Sequence, residues 1–206
     1  MIETGFLITA FATLFVVIDP PGLVPLFIAL TQGMDNERRR AMALRACIIA
    51  TVLLLLFGLA GETVLEFIGI SMPAFRIAGG ILLFLTALDM LFERRTQRRE
   101  GQHADPDHDP SVFPLATPLI AGPGAIATMI LLVGEGGGSW PATLAVLGLM
   151  LAMMLATYLF LLASPPLERM LGRTGTIVIT RLLGMLLAAL SVQFVIDGVR
   201  GTGLIG

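Results

Sequence analysis

Polar and charged positions fall into short clusters, and the stretches between them are apolar for long enough to cross a bilayer. A membrane helix needs about 20 apolar residues at 1.5 Å each. The pattern predicts six such helices, over residues 5–30, 41–60, 73–92, 113–134, 142–163 and 177–199. The third and sixth start near an Arg and end near an Asp. Residues 1–4 carry neither a basic segment nor a small-residue cleavage site, so they read as the lead-in to the first span and not as a removable signal.

Composition agrees with this reading. Hydrophobic types make up 56% of the 206 residues, charged types 14%, and mean hydropathy is +0.90. That excludes a soluble domain and a disordered chain. Cys47 stands alone, so no internal disulfide can form. A formal charge of -2 argues against a nucleic-acid partner.

Charge placement sets the orientation. All 13 basic residues are Arg. The first connection holds Arg38, Arg39 and Arg40, with Arg45 just inside the next span. The third holds Arg94, Arg95, Arg98 and Arg99, and the fifth holds Arg169 and Arg173. The second connection (61–72) carries only Glu62 and Glu66, the fourth (135–141) has no basic residue, and Arg200 alone falls on their side. The positive-inside rule then places both termini outside the cytoplasm of a cell inner (plasma) membrane. Trp140 falls at the outer interface.

The halves of the chain resemble each other. Ile18-Asp19-Pro20-Pro21-Gly22 answers Ile120-Ala121-Gly122-Pro123-Gly124, and Arg76-Ile77-Ala78-Gly79 answers Arg181-Leu182-Leu183-Gly184. At the same offset Thr86 answers Ser191. With three spans per half, the second half enters the membrane from the opposite side. The expected architecture is one all-α transmembrane domain (1–206) of two inverted three-helix repeats, about 1–100 and 110–206, joined by a cytoplasmic linker at 93–112.

Pro20 and Pro21 interrupt the first span, and Pro118, Gly122, Pro123 and Gly124 interrupt the fourth. Backbone freed in this way must face protein or water. Each second piece would aim the N–H groups of its first turn into its break, and unwound carbonyls would offer the opposite polarity. Such a pair of sites suits the carboxylate and ammonium of an amino acid, or an uncharged polar solute. The plainer reading is that Pro and Gly only kink these helices.

Asp19 stands beside the first break. It is either a cap for the next helical piece or a site for a proton, a cation or an ammonium group. Arg76 and Asp89 lie roughly 20 Å apart on one helix and cannot pair with each other. If the third and sixth helices are neighbours, Arg76 would meet Asp197 at the outer end and Arg181 would meet Asp89 at the inner end. The two pairs would act as gates, and Gln193, able to hydrogen-bond across helices or line a cavity, is a further candidate for gating or coupling. The alternative is that the Arg side chains reach out to headgroups. His103, Asp105, Asp107, His108 and Asp109 lie in a polar linker with no framework for metal, so no metal site is expected. No span holds a His and there is no phosphate-binding loop, so neither an intramembrane hydrolase nor an ATP-driven pump is expected. No cofactor is expected.

The residues that carry a family resemblance are Asp19-Pro20-Pro21-Gly22-Leu23-Val24-Pro25, Gly69-Ile70-Ser71-Met72-Pro73-Ala74-Phe75-Arg76, Phe113-Pro114-Leu115-Ala116-Thr117-Pro118 with Ala121-Gly122-Pro123-Gly124, and Thr180-Arg181 with Gln193-Phe194-Val195-Ile196-Asp197-Gly198. On these motifs the chain resembles the MarC family of six-span membrane proteins. The family includes SnatA-type transporters of small neutral amino acids. The resemblance implies transport of small neutral amino acids for some members. For this chain the expectation is a secondary transporter of a small polar solute, a neutral amino acid first, with export and H+- or Na+-coupled import both open. Asp19, Pro20, Pro21 and Gly22 would form one half of the site, and Thr117, Pro118, Gly122, Pro123 and Gly124 the other. An ion channel or exchanger, or a scaffold that moves no solute, are the other classes the sequence admits. A homo-oligomer is open.

Overall fold

The computed structural model describes residues 4–92, 109–136 and 139–203. The described residues are helical, with no strand among them. The helices are α1 (Thr4–Ile18), α2 (Pro20–Leu30), α3 (Asn36–Ile68), α4 (Met72–Leu91), the π-helical α5 (Ser111–Ile120), α6 (Pro123–Glu135), α7 (Trp140–Leu162) and α8 (Ser164–Gly201). Five segments are long and apolar enough to span a membrane, α1 and α2 together forming one of them. A sixth is α5 with α6, bent by 52° at the break between them.

Two expected connections are largely helix. α3 continues through the predicted second loop to Ile68, because nothing in 61–68 breaks a helix. It stops where Gly69 takes φ 82, a conformation open to glycine. The fifth connection is the start of α8, which is kinked at Gly172 (φ 59), so that its spanning part is Thr174–Gly201. Side chains start α3 and α4: Asp35 accepts from Arg38 N at 2.8 Å, and Ser71 accepts from Ala74 N at 3.3 Å; α2 has a cap of the same kind, described below.

Packing follows a regular scheme. α4 and α8 form the most extensive pair. α4 also lies on α6, and α8 on α2. α3 lies on α5 and α6, and α7 on α1 and α2. The α4–α8 seam is antiparallel and tight. A Cβ on Gly80 would sit 2.8 Å from Ser191 O. One on Gly184 would sit 3.3 Å from Ala87 O, and one on Gly198 3.0 Å from Pro73 O. In lipid, close approach of small residues replaces the hydrophobic drive that is missing between helices.

Contacts sort the connections onto two ends. At one end Arg39 donates to the Ser164 hydroxyl (3.3 Å) and its guanidinium lies over the Phe27 ring, while Arg45 pairs with Asp109 at 2.7 Å. At the other, Arg76 pairs with Glu135. The first end thus holds Arg39 and Arg45, together with Asp109 before α5 and Ser164 at the start of α8, in line with the charge pattern. Trp140, 69% exposed, opens α7 at the other end.

Candidate functional site

The first break is a single residue. Pro20 and Pro21 force the turn, and Asp19 makes it in the left-handed region (φ 53, ψ 61), which Asp tolerates better than most residues. Asp19 is 1% exposed. Its N–H donates to Phe15 O (3.0 Å), its carbonyl accepts from Leu23 N (3.2 Å), and Oδ1 accepts from Gly22 N (3.0 Å). Pro20 and Pro21 have no N–H to offer. The N–H groups at the start of α2 are therefore already taken, which corrects the expectation that α2 aims free donors at a ligand. A Cβ on Gly22 would fall onto the Asp19 carboxylate, 2.6 Å from Cγ, so glycine keeps the cap in place.

The second break is built differently. Phe113, Thr117 and Pro118 leave helical geometry inside α5, and Ala121 N reaches back to Ala116 O at 2.9 Å. Thr117 Oγ1 donates to Val112 O (3.3 Å). Gly122 occupies the cap position of α6 and has no side chain to cap with. Its missing Cβ would strike Pro118 O. Pro118 and Pro123 are exposed, Thr117 and Gly122 half-buried, and Ala121 and Gly124 buried, so this break is open on one side. A Cβ on Gly124 would touch Leu83 (3.1 Å) and Thr86 (3.5 Å) of α4, and Val17 (3.8 Å) of α1. Val17 lies two residues before Asp19. The structure therefore brings the two breaks together at the meeting of α1, α4 and α6.

This geometry stands beside a clear set of relatives. A model of the "MarC family integral membrane protein" matches residues 4–202. The chain belongs to the MarC family. A UPF0056 membrane protein of Methanocaldococcus jannaschii is 39% identical to this MarC chain over 202 residues, covering 97% of this chain and 98% of that one. A UPF0056 membrane protein of Aquifex aeolicus is 37% identical, covering 97% and 95%. The UPF0056 inner membrane protein YhgN of Escherichia coli is 34% identical, covering 94% and 96%. No solved structure matches significantly. The MarC chain is thus a multi-pass membrane protein.

The candidate gate residues are placed less simply. Antiparallel packing of α4 on α8 brings Arg76 level with Asp197 and Asp89 level with Arg181, as expected. Yet Arg76 takes Glu135 of α6 as its partner (Nη2 to Oε1, 3.2 Å), not Asp197. Asp197 accepts from Gln193 Nε2 (2.9 Å) and faces Arg200 (3.8 Å), close enough to Glu135 for the two charges to repel. Glu135 intercepts Arg76 because α6 ends beside the start of α4, where a Cβ on Gly134 would meet Met72 (2.8 Å to Cε). The Arg76 and Glu135 side chains are 22% and 28% exposed. Arg76→Gln leaves the Glu135 carboxylate half-buried without its cation. The expected loss is about 2 kcal/mol, and the swapped pair Arg76→Glu with Glu135→Arg should recover about half of it. Thermal unfolding in detergent measures both; equal Tm values for the single and swapped variants would discount the pair.

At the Arg-rich end, a cavity of about 440 Å³ is lined by residues that include Pro25, Ile28, Thr31, Gln32 and Arg39. Nearby, Asp109 is the one member of the predicted His/Asp cluster within the described residues. The Ser111 hydroxyl and N–H, then Arg45, hold its carboxyl below the usual carboxylate range. This tie is complete above the ordinary carboxylate pKa and is lost as pH falls through the lowered one. Being exposed, it contributes only about 0.5 kcal/mol. Asp109→Asn should accordingly leave Tm at pH 7 within about 2 °C.

The sequence pattern missed Glu135, which reads as loop, flanked by glycines. It also gave no sign of Thr13 and Thr128, two fully buried threonines whose hydroxyls have no hydrogen-bond partner.

Proposed function

We propose that this MarC protein is a secondary transporter of a small polar solute in the inner membrane, not an enzyme, and that small neutral amino acids are its first candidates. The observation that carries this reading is the meeting of two interrupted spans, one with a buried carboxylate and the other with an uncapped helix amino end. Paired broken helices at a repeat interface are how many secondary transporters build their sites.

The contact scheme supports two inverted repeats. Exchanging α1 with α5, α2 with α6, α3 with α7 and α4 with α8 leaves the α4–α8 and α3–α7 pairs in place and turns α2–α8, α3–α6 and α3–α5 into the observed α4–α6, α2–α7 and α1–α7. The E. coli relative is named an inner membrane protein, in keeping with that location, and the placement of Arg supports both termini outside the cytoplasm. The Arg76–Glu135 pair then closes the outer end, and the cavity beside Arg39 opens from the inner one. With no nucleotide-binding motif, uphill movement is driven by an H+ or Na+ gradient or by exchange.

Labelled glycine, alanine and serine are offered to proteoliposomes that hold the pure protein, under an imposed proton or sodium gradient. Saturable flux above protein-free vesicles is expected for at least one of them. Ion flux with no amino acid moving would favour a channel, and no flux under any gradient would sink the reading for these solutes.

A further inference from the structure

A threonine hydroxyl inside a helix commonly donates to the carbonyl one turn back. Thr31, Thr51, Thr86, Thr157 and Thr176 all do so, at 2.7 to 3.1 Å. Thr13 of α1 and Thr128 of α6 do not. Both are fully buried, and neither Oγ1 has a hydrogen-bond partner. An orphaned buried hydroxyl is costly and calls for a partner from outside the chain, a water, an ion or a ligand.

Their positions agree with each other. Thr128 stands one turn beyond Gly124 on the same face of α6. Side chains on a helix lean toward its amino end, so Thr128 lies over the first turn of α6. That turn has no side-chain cap. Pro123 has no N–H, and Ile126 N makes the bond to Gly122 O (3.0 Å), so the N–H groups of Gly124 and Ala125 come ahead of it. Gly124 abuts Val17, and Thr13 stands one turn from Val17 on the same face of α1. The first and fourth spans run in opposite directions, so one turn from the Val17–Gly124 contact leads to both threonines.

We propose that the amino end of α6 and the hydroxyls of Thr128 and Thr13 form a buried subsite for the carboxylate of a small amino acid. The subsite rests on the transport reading above and assigns the polarity of its two halves: the second break takes the anionic end, because at the first break Asp19 already neutralises the amino end of α2. Backbone N–H groups, the helix dipole and two O–H donors suit an oxyanion. Val17, Leu83 and Thr86 press against Gly124, which favours a small side chain over a long one.

Alanine binding to the purified full-length protein is the readout. Thr128→Val and Thr13→Val keep the shape and remove only a hydroxyl. Each should show a Tm equal to or above wild type and an alanine affinity at least tenfold weaker, with Thr128→Ser near wild type. On the wild-type chain, propionate should compete with alanine and alaninamide should not; this arm needs no variant and stands even where a substitution fails to fold. Valine variants that bind alanine normally would mean that the hydroxyls hold only water, and would overturn the subsite while leaving transport intact. Alaninamide competing where propionate fails would overturn it as well. A wild-type chain that neither binds nor moves glycine, alanine or serine sinks the transport reading, and the subsite goes with it.

Discussion

Asp19→Ala should lower stability by about 2–3 kcal/mol, whereas Asp19→Asn should keep or raise it and still lose solute movement by more than tenfold. Two terms make up the first number. Removing a capping carboxylate costs about 1 kcal/mol. Holding Ala in the left-handed region costs roughly another 1–2 kcal/mol. Asn can accept from Gly22 N, visits that region readily, and removes a charge from a position 1% exposed. Glycine tolerates the backbone and lacks the cap, so Asp19→Gly should fall between them. The expected order of Tm in detergent is therefore Asn at or above Asp, then Gly, then Ala. An alanine variant as stable as wild type would show that the cap does not hold this break. Uptake separates the roles: flux retained in the Asn variant would leave Asp19 as a cap and nothing more.

The second large effect belongs to the α4–α8 seam. Gly80→Val puts a branched side chain where even a Cβ would lie 2.8 Å from Ser191 O and 3.1 Å from Val195 N. Those atoms are backbone and cannot turn aside, so the helices must separate. Overpacking against movable side chains costs about 1–3 kcal/mol; against a helix backbone the expected loss exceeds about 3 kcal/mol, with little folded protein recovered from membranes. Gly79 provides the control. Its neighbours are Leu131 Cδ1 (3.2 Å) and Ala127 Cβ (3.5 Å), and the leucine can give way. Gly79→Ala should cost about 1 kcal/mol or less. Equal Tm values for Gly79→Ala and Gly80→Val would refute the seam as described.

Much of this was legible in the sequence because the bilayer enforces it. Long apolar runs, Arg confined to alternate connections and Pro-Gly pairs inside spans each follow from a strong penalty. The spans and both interruptions lie where the pattern puts them. What the sequence withheld depends on which atoms meet. Asp19 answers Ala121 in the two repeats, yet Asp19 caps its helix with a carboxylate, while in the second repeat the cap position falls to Gly122, which has no side chain. Pairing Arg76 with Asp197 was reasonable from spacing along two helices, but a third helix end supplies Glu135. The end of α3 was misread because its charges suggested a loop, although glutamate is a good helix former.

The length of α3 has a consequence for how the protein sits. Its 33 residues span about 50 Å, against a hydrocarbon layer of about 30 Å. Even at the steepest common tilt of about 40° the helix rises nearly 40 Å, so it overruns the layer. Its charges say at which ends. No charged residue occurs from Ala46 to Gly61, a stretch of roughly 24 Å, and Glu62 and Glu66 mark where water begins. The last turns therefore stand among the lipid headgroups, where Phe67, 92% exposed, has the same footing as Trp140. α3 acts as a gauge of bilayer thickness: a thicker membrane would draw Glu62 toward hydrocarbon, and the protein would be expected to gather where the bilayer is thin.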